Sequence, residues 1–281
     1  MAAEAVKKRG RNAATLAEEN PFDFDDDVDF SESGHIYHVC GRKAEMSVTS
    51  LVKSAFPASA NFDGRSICET NLSRWRTNAS NRYHSVVAGI PDDQEAISAV
   101  LALWERNKNL GTLTHKAVEL TLNDEIVTHD VMVADVQREL DQYLIWNDRQ
   151  SLAGWKAVRT ELSLYFTRAN KETIAGQIDV LYQDNTGKYR IVDVKRSDKQ
   201  LHANAHNFGK FGAGPAADVK DIDFFRYSLQ TWIYTVMFQR LTGKECGAPL
   251  LVQVHPDQAG PNVIACAYLE DVARQLLDGE E

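Results

Sequence analysis

The sequence predicts a mixed α/β fold, with a mostly helical first half leading into a core in which one mixed sheet is flanked by helices. Three observations lead there. Apolar residues recur at helical spacing over about 64–79, 93–108, 111–122 and 130–147. Between 156 and 195 the apolar period shortens to two, and from 222 to 241 it lengthens again. No stretch approaches the roughly 20 apolar residues of a membrane-spanning helix, so the apolar segments are read as parts of a folded core.

Taken in order, residues 1–32 are charged and poor in branched aliphatics, with an acidic run at 23–29 broken only by Phe24 and Val28. That composition predicts a disordered acidic tail. A basic run at 7–11 has the character of a nuclear-import patch, a pattern that is also common without that role. Residues 33–281 are expected to form one domain, helical over about 33–150 and carrying an αβββαβ core at about 111–256. The runs 35–39 and 43–48, joined across 40–42, predict a small hairpin entering a helix capped by Ser47 or Thr49. Strands are predicted at 156–167, 172–182 and 188–195, with Asp-Asn-Thr-Gly at 184–187 as the turn between the last two. The stretch 196–220 has Gly209, Gly212, Gly214 and Pro215 and little periodicity, which predicts a long mobile loop. A helix at 222–241, strands at 249–255 and 262–268 and a closing acidic helix complete the chain.

At 281 residues, 43% hydrophobic and 25% charged, the chain can bury a substantial core, and collagen, coiled coil and wholesale disorder are excluded. The formal charge of -9 argues at first against a polyanionic partner. Residues 1–32 account for -5 of it and the last twelve for -4, leaving 26 acids and 26 bases in the body. The four cysteines form no Cys-x-x-Cys pair, so a zinc ribbon is not expected and buried free thiols are. The start of the chain has no apolar signal core, and the expected location is intracellular, in cytoplasm or nucleus, with the mitochondrion left open.

Polar residues break the apolar pattern at matching places. Asp179 ends the run 176–179 on the second strand, and Asp193 and Lys195 bracket Val194 on the third. Side chains alternate along a strand, so Asp193 and Lys195 share a face. A tight turn between the strands can bring Asp179 beside Asp193, where two carboxylates repel unless a cation sits between them. All-oxygen ligands suit Mg2+ or Mn2+, and an ammonium beside such an ion can hold water or neutralise charge growing on a phosphate. A lone Asp-x-Lys is common on exposed strands; its company gives it weight. His115 and Glu119 lie one helical turn apart after Gly111, Glu161 interrupts a strand, and Gln230 and Tyr234 sit four apart on the later helix.

Together these segments resemble the RecB-type branch of the PD-(D/E)XK nuclease superfamily, which includes mitochondrial genome maintenance exonucleases and CRISPR-associated spacer-acquisition nucleases. The resemblance covers roughly 111–255 in family order: Gly-x-x-x-His-x-x-x-Glu at 111–119, Thr-Glu at 160–161, Gly-x-x-Asp at 176–179, Asp-x-Lys at 193–195 and Gln-x-x-x-Tyr at 230–234. The hairpin running into 47–50 is similar to the start of viral and mitochondrial members. The resemblance implies a restriction-endonuclease-like core in which His115, Asp179, Asp193 and the Val194 backbone carbonyl hold the metal. It implies that Lys195 positions a water, while Gln230 and Tyr234 contact the nucleic-acid backbone or brace the lysine. Glu161 either helps hold metal or is a strand-edge carboxylate paired with Arg159 or Lys171, and Glu119 is expected to orient His115. The histidine would let Mn2+ bind well beside Mg2+. Some members carry an iron-sulfur cluster on one cysteine before the core and three close together after it; here only Cys246 and Cys266 follow the core, 20 residues apart, and no cluster is expected.

A neutral body needs local clusters to hold a polyanion. Arg74, Arg76, Arg82 and His84, interleaved with Trp75 and Tyr83, suit phosphate contact and base stacking, or make the solvated face of an amphipathic helix. Arg196, Lys199, His202, His206 and Lys210 follow the lysine in the glycine-rich loop and are candidates to clamp a strand. The expected activity is a divalent-metal-dependent deoxyribonuclease, an exonuclease on single-stranded or free-ended DNA of the kind used in replication and repair. An RNA-cleaving relative and a non-catalytic nucleic-acid-binding subunit are the alternatives.

Overall fold

The computed structural model describes residues 15–31, 34–60, 63–124 and 134–279. The chain divides into two compact units, one of 1–60 with 114–281 and one of 61–113, where the sequence suggested a single domain from 33. Among the described residues, no helix is long and apolar enough to cross a membrane.

The larger unit opens with α1 (Leu16–Glu19), a 3-10 turn (Asp25–Asp27), β1 (Val28–Ser31), β2 (Ile36–Val39) and β3 (Arg42–Lys43), and the three strands form a small antiparallel sheet. Order here corrects the expected disordered tail over 15–31; residues 1–14 lie outside the described part. Two acids of this run have specific partners. Asp25 receives two bonds of 2.8 Å from the guanidinium of Arg159, and Asp27 accepts from the Tyr165 hydroxyl at 2.9 Å. Phe22 and Phe24 stack 5.4 Å apart, and Phe22 meets Phe238 edge-on at the same distance. Two aromatic side chains within four residues thus supply the burial that the composition as a whole lacks.

Next come β4 (Met46–Ser47) and α2 (Val48–Ala55), which begins at the predicted cap: the Ser47 hydroxyl accepts from the Ser50 amide. A short helix α3 (Pro57–Ala60) precedes the second unit. That unit contains α4 (Gly64–Thr77), α5 (His84–Val87) and much of α6 (Asp93–Leu122), packed around Cys68, Leu72, Trp75, Val87, Ile97 and Val100. The sequence predicts two helices in place of α6; a Cβ at Gly111 would meet nothing within 4 Å, and one glycine costs a helix only about 1 kcal/mol, so it runs through.

In the larger unit α7 (Gln137–Leu152) docks through a buried chain in which the Tyr143 and Tyr182 hydroxyls lie 2.7 Å apart and Tyr182 donates to Asn147 at 2.7 Å. The meander follows as β5 (Trp155–Thr167), β6 (Thr173–Asp184) and β7 (Tyr189–Arg196). After a 3-10 turn at Gly214–Ala216 come α8 (Asp223–Thr242), β8 (Leu250–Val254), β9 (Asn262–Ala265) and α9 (Glu270–Asp278). Six strands form one mixed sheet in the order β4-β6-β7-β8-β9, with β5 along the other edge of β6. β7 and β8 are parallel, joined by the loop and α8, and α8 is buried along most of its length.

The loop at 197–221 is tied down at both ends, contrary to the mobile loop expected. The fully buried Gln253 amide accepts from the Leu201 amide at 3.0 Å and donates to the Ser197 and Lys199 carbonyls at 2.8 and 2.6 Å. Further on, the Ala213 amide donates to the Ala55 carbonyl at 2.9 Å, and a Cβ at Gly212 would lie 2.4 Å from the Ala216 carbonyl.

Candidate metal centre

The site forms where the ladder around β6 is interrupted. On one edge of β6, β4 pairs with 174–175 and β7 with 180–183, which leaves 176–179 between them. On the other edge β5 pairs Thr160 with Val180 and Leu162 with Ile178, and the intervening Glu161 and Asp179 make no ladder pair. Glu161 has φ +46°, a left-handed conformation that costs a residue with a side chain about 1 kcal/mol or more. The Gln177 side chain donates to the Glu161 carbonyl at 2.9 Å, occupying the place of the missing ladder bond. The two carboxylates are thereby aimed at one spot.

His115, near the C-terminal end of α6, completes the group: one ligand atom each from His115, Glu161 and Asp179 lies within 4.8 Å of the others. His115 Nδ1 is 3.5 Å from Asp179 Oδ1, and Asp179 Oδ2 accepts from the Val194 amide at 2.8 Å. Val194 therefore reaches this group through its N–H, where the resemblance put its carbonyl. Asp193 stands outside the three. It is 3% exposed, and both its oxygens lie 2.9 Å from the Lys195 ammonium. One of those oxygens, Oδ2, has the ion-pair contact but no hydrogen bond of good geometry, leaving a buried lone pair available. Lys195 also lies 4.8 Å from the centroid of the Tyr227 ring.

Electrostatics reflect this crowding. Burial disfavours charge on His115, but the Asp179 carboxylate outweighs it and holds the imidazolium up to about 9. Burial, then the negative Asp179, pushes Glu161 up to about 8. Burial raises Asp193 to about 6 despite the opposing pull of Lys195. Burial would raise Asp179 too, but His115 and Lys195 draw it below its ordinary value. The Lys195 ammonium, which burial would discharge, is held charged by Asp193 and Asp179. A carboxylate forced towards protonation beside another carboxylate is what a cation relieves, so the donor set fits a divalent ion.

Other expected residues are placed differently. Glu119 is engaged by Lys116 at 2.7 Å rather than by His115. Tyr234 is 5% exposed and packs where a Cβ on Gly176 would come within 2.7 Å of its Cε1 and 2.9 Å of Val48 Cγ2. It braces the interrupted strand, with the half-buried Gln230 amide 3.4 Å from its hydroxyl. Arg196, expected to clamp substrate, is buried in an ion pair of 2.7 Å with Glu139, whose side chain is 2% exposed. Arg76 pairs with Asp93 and donates to the Ile90 and Pro91 carbonyls, closing the helical unit. Arg74 lies on the exposed face of α4 and bonds Asn71 at 2.8 Å. Trp75 and Tyr83 are core neighbours 4.6 Å apart, not a stacking surface. Arg159, weighed as a partner for Glu161, is held by Asp25. Lys199 is exposed.

Three contributors escaped the sequence reading: Gln177, Tyr227 and Tyr37, whose hydroxyl is pushed up to about 12 by burial and then by Glu161 and Asp179. Gln177 carries a signal in hindsight, as the polar residue inside Gly-x-x-Asp; Tyr37 lies 142 residues from Asp179 and carries none.

No protein-family model and no curated protein matches the chain. Among solved structures, the crystal structure of SSO0001 aligns with 83% of this chain and 74% of its own at 15% identity and a TM-score of 0.32, a likeness that carries no argument. The centre is read from this chain's own residues.

Proposed function

We propose that the chain is a divalent-metal-dependent nuclease that hydrolyses phosphodiester bonds of DNA, acting on single strands or free ends. The observation that supports this most is the convergence of His115, Glu161 and Asp179 within 4.8 Å at an interrupted strand, next to the Asp193–Lys195 pair. His115, Glu161 and Asp179 would hold the ion, with the spare lone pair of Asp193 beside them. One imidazole among carboxylates admits Mn2+ as well as Mg2+. A bound divalent ion would polarise a phosphate and ease deprotonation of water. Lys195 stays charged through the neutral range and offers its ammonium to a phosphate oxygen or a water. Asp193 holds that ammonium in place, and Tyr227 covers its other side. The Val194 amide fixes the rotation of the Asp179 carboxylate, so its free oxygen faces His115.

The test uses end-labelled single-stranded, duplex, flap and circular DNA, with RNA alongside, in Mg2+ or Mn2+. Asp193→Ala and Lys195→Ala are expected to abolish cleavage while a cooperative melting transition survives. Activity persisting in either purified variant overturns the assignment. Preference for RNA would move the reading to an RNA-cleaving relative. Mn2+ binding without cleavage of any substrate would leave a non-catalytic binder.

A further inference from the structure

Phe208 is 80% exposed, yet its surroundings are built rather than loose. It has φ +51°, a left-handed conformation that bulky side chains avoid. Its amide donates to His206 Nδ1 at 3.0 Å, and the turn is closed by the Lys210 amide on the Asn207 carbonyl and by the Asn207 side chain on the Lys210 carbonyl, each at 2.8 Å. The imidazole of His206 stands 4.4 Å from the Phe208 ring at 66°, so ring and imidazole make one open aromatic corner. The loop that carries the corner is held by the Gln253 anchor at Leu201 and by the Lys210 carbonyl, which accepts from the Asp221 amide at 3.0 Å. Gln253 is also the β8 residue paired with Lys195, so the anchor sits on the strand beside the proposed catalytic lysine.

Flat hydrocarbon held open to water at a conformational cost calls for a flat partner. Lys210, in the same turn, is exposed and in no ion pair among the described residues. An aromatic face with an unpaired ammonium in the same turn has the chemistry of nucleobase stacking with phosphate contact.

We propose that Phe208, with His206, is a stacking platform for a base of single-stranded DNA leading to the carboxylate site. This rests on the nuclease reading and names its substrate as an unpaired strand. It also relocates the grip from Arg196, which is buried, to the tip of the loop that follows it.

The experiment is fluorescence anisotropy in chelator, with a labelled thymidine 20-mer and an abasic strand of the same length. Phe208→Ala is expected to weaken the thymidine strand about tenfold, Phe208→Tyr to hold it near wild type, and the abasic strand to be bound equally by all three. Phe208→Trp places an indole at the corner whose fluorescence the thymidine strand, but not the abasic one, should quench beyond that of wild type. Equal affinity of wild type and Phe208→Ala for the thymidine strand overturns the platform. So does equal quenching by both strands, which would mean that the corner receives no base. Cleavage of the thymidine strand by wild type in Mn2+ separates the two readings. Cleavage with no effect of Phe208→Ala on binding removes the platform and leaves the nuclease. Neither binding nor cleavage by wild type removes both.

Discussion

Metal binding to this centre should expel about two protons per ion at pH 7. A divalent ion takes a neutral imidazole and an ionised carboxylate, while the metal-free site holds His115 at about 9 and Glu161 at about 8. At pH 7 the first is then about 99% and the second about 90% protonated, and both protons must leave. Asp179 contributes none, being held below its ordinary value. Asp193, raised only to about 6, adds little at pH 7. The logarithm of Mn2+ affinity should climb by about two per pH unit near pH 7 and flatten above about pH 9.5. Calorimetry in two buffers of different ionisation enthalpy reads the released protons directly. Glu161→Gln should bring the count to about one while weakening the ion. Measurable Mn2+ binding whose heat is the same in both buffers would refute the reasoning, because the ion would then not be displacing protons from His115 and Glu161.

Other consequences follow from the same geometry. His115, Glu161 and Asp193 all have folded values above their ordinary ones of 6.5, 4.5 and 3.8, so each contributes stability at low pH that fades as pH rises through its folded value. In chelator the melting temperature should fall from pH 6 to pH 9, and saturating Mn2+ should offset the fall; a rise in chelator would contradict this. Gly176→Ala should destabilise by about 1–3 kcal/mol in denaturant melts, since its methyl would lie 2.7 Å from Tyr234. Arg159→Ala should cost about 3 kcal/mol by stranding Asp25 and releasing the 15–31 segment, visible as faster proteolysis there. Gln253→Leu leaves the Lys199 carbonyl and the Leu201 amide without partners and the Ser197 carbonyl with Gln258 alone, and trypsin should then cut faster at Lys199 and Lys210.

Helices, strands and the order of the motifs were legible because period and cap chemistry are local: Ser47 caps α2, and the 184–187 turn sits where the tetrapeptide puts it. The acidic run at 23–29 misled because composition counts charges and not partners. Asp25 lies 134 residues from Arg159, and no local pattern announces that bond. Arg196 misled in the opposite sense, because a base after Lys195 looks like a phosphate contact until Glu139 is seen beside it. Trp75 and Tyr83 suited base stacking in the sequence and are instead the centre of the helical unit.

By itself, the sequence determined the mixed α/β class and the set of polar residues that interrupt it, since a carboxylate in an apolar strand is visible in one dimension. Only the tertiary structure decided how those residues group. Three of them, His115, Glu161 and Asp179, close within 4.8 Å, whereas Asp193 turns to Lys195. The reason is the gap in pairing along β6. Losing the ladder at 176–179 frees backbone that Gln177 and Asp179 then satisfy with their side chains, and that substitution aims the carboxylates.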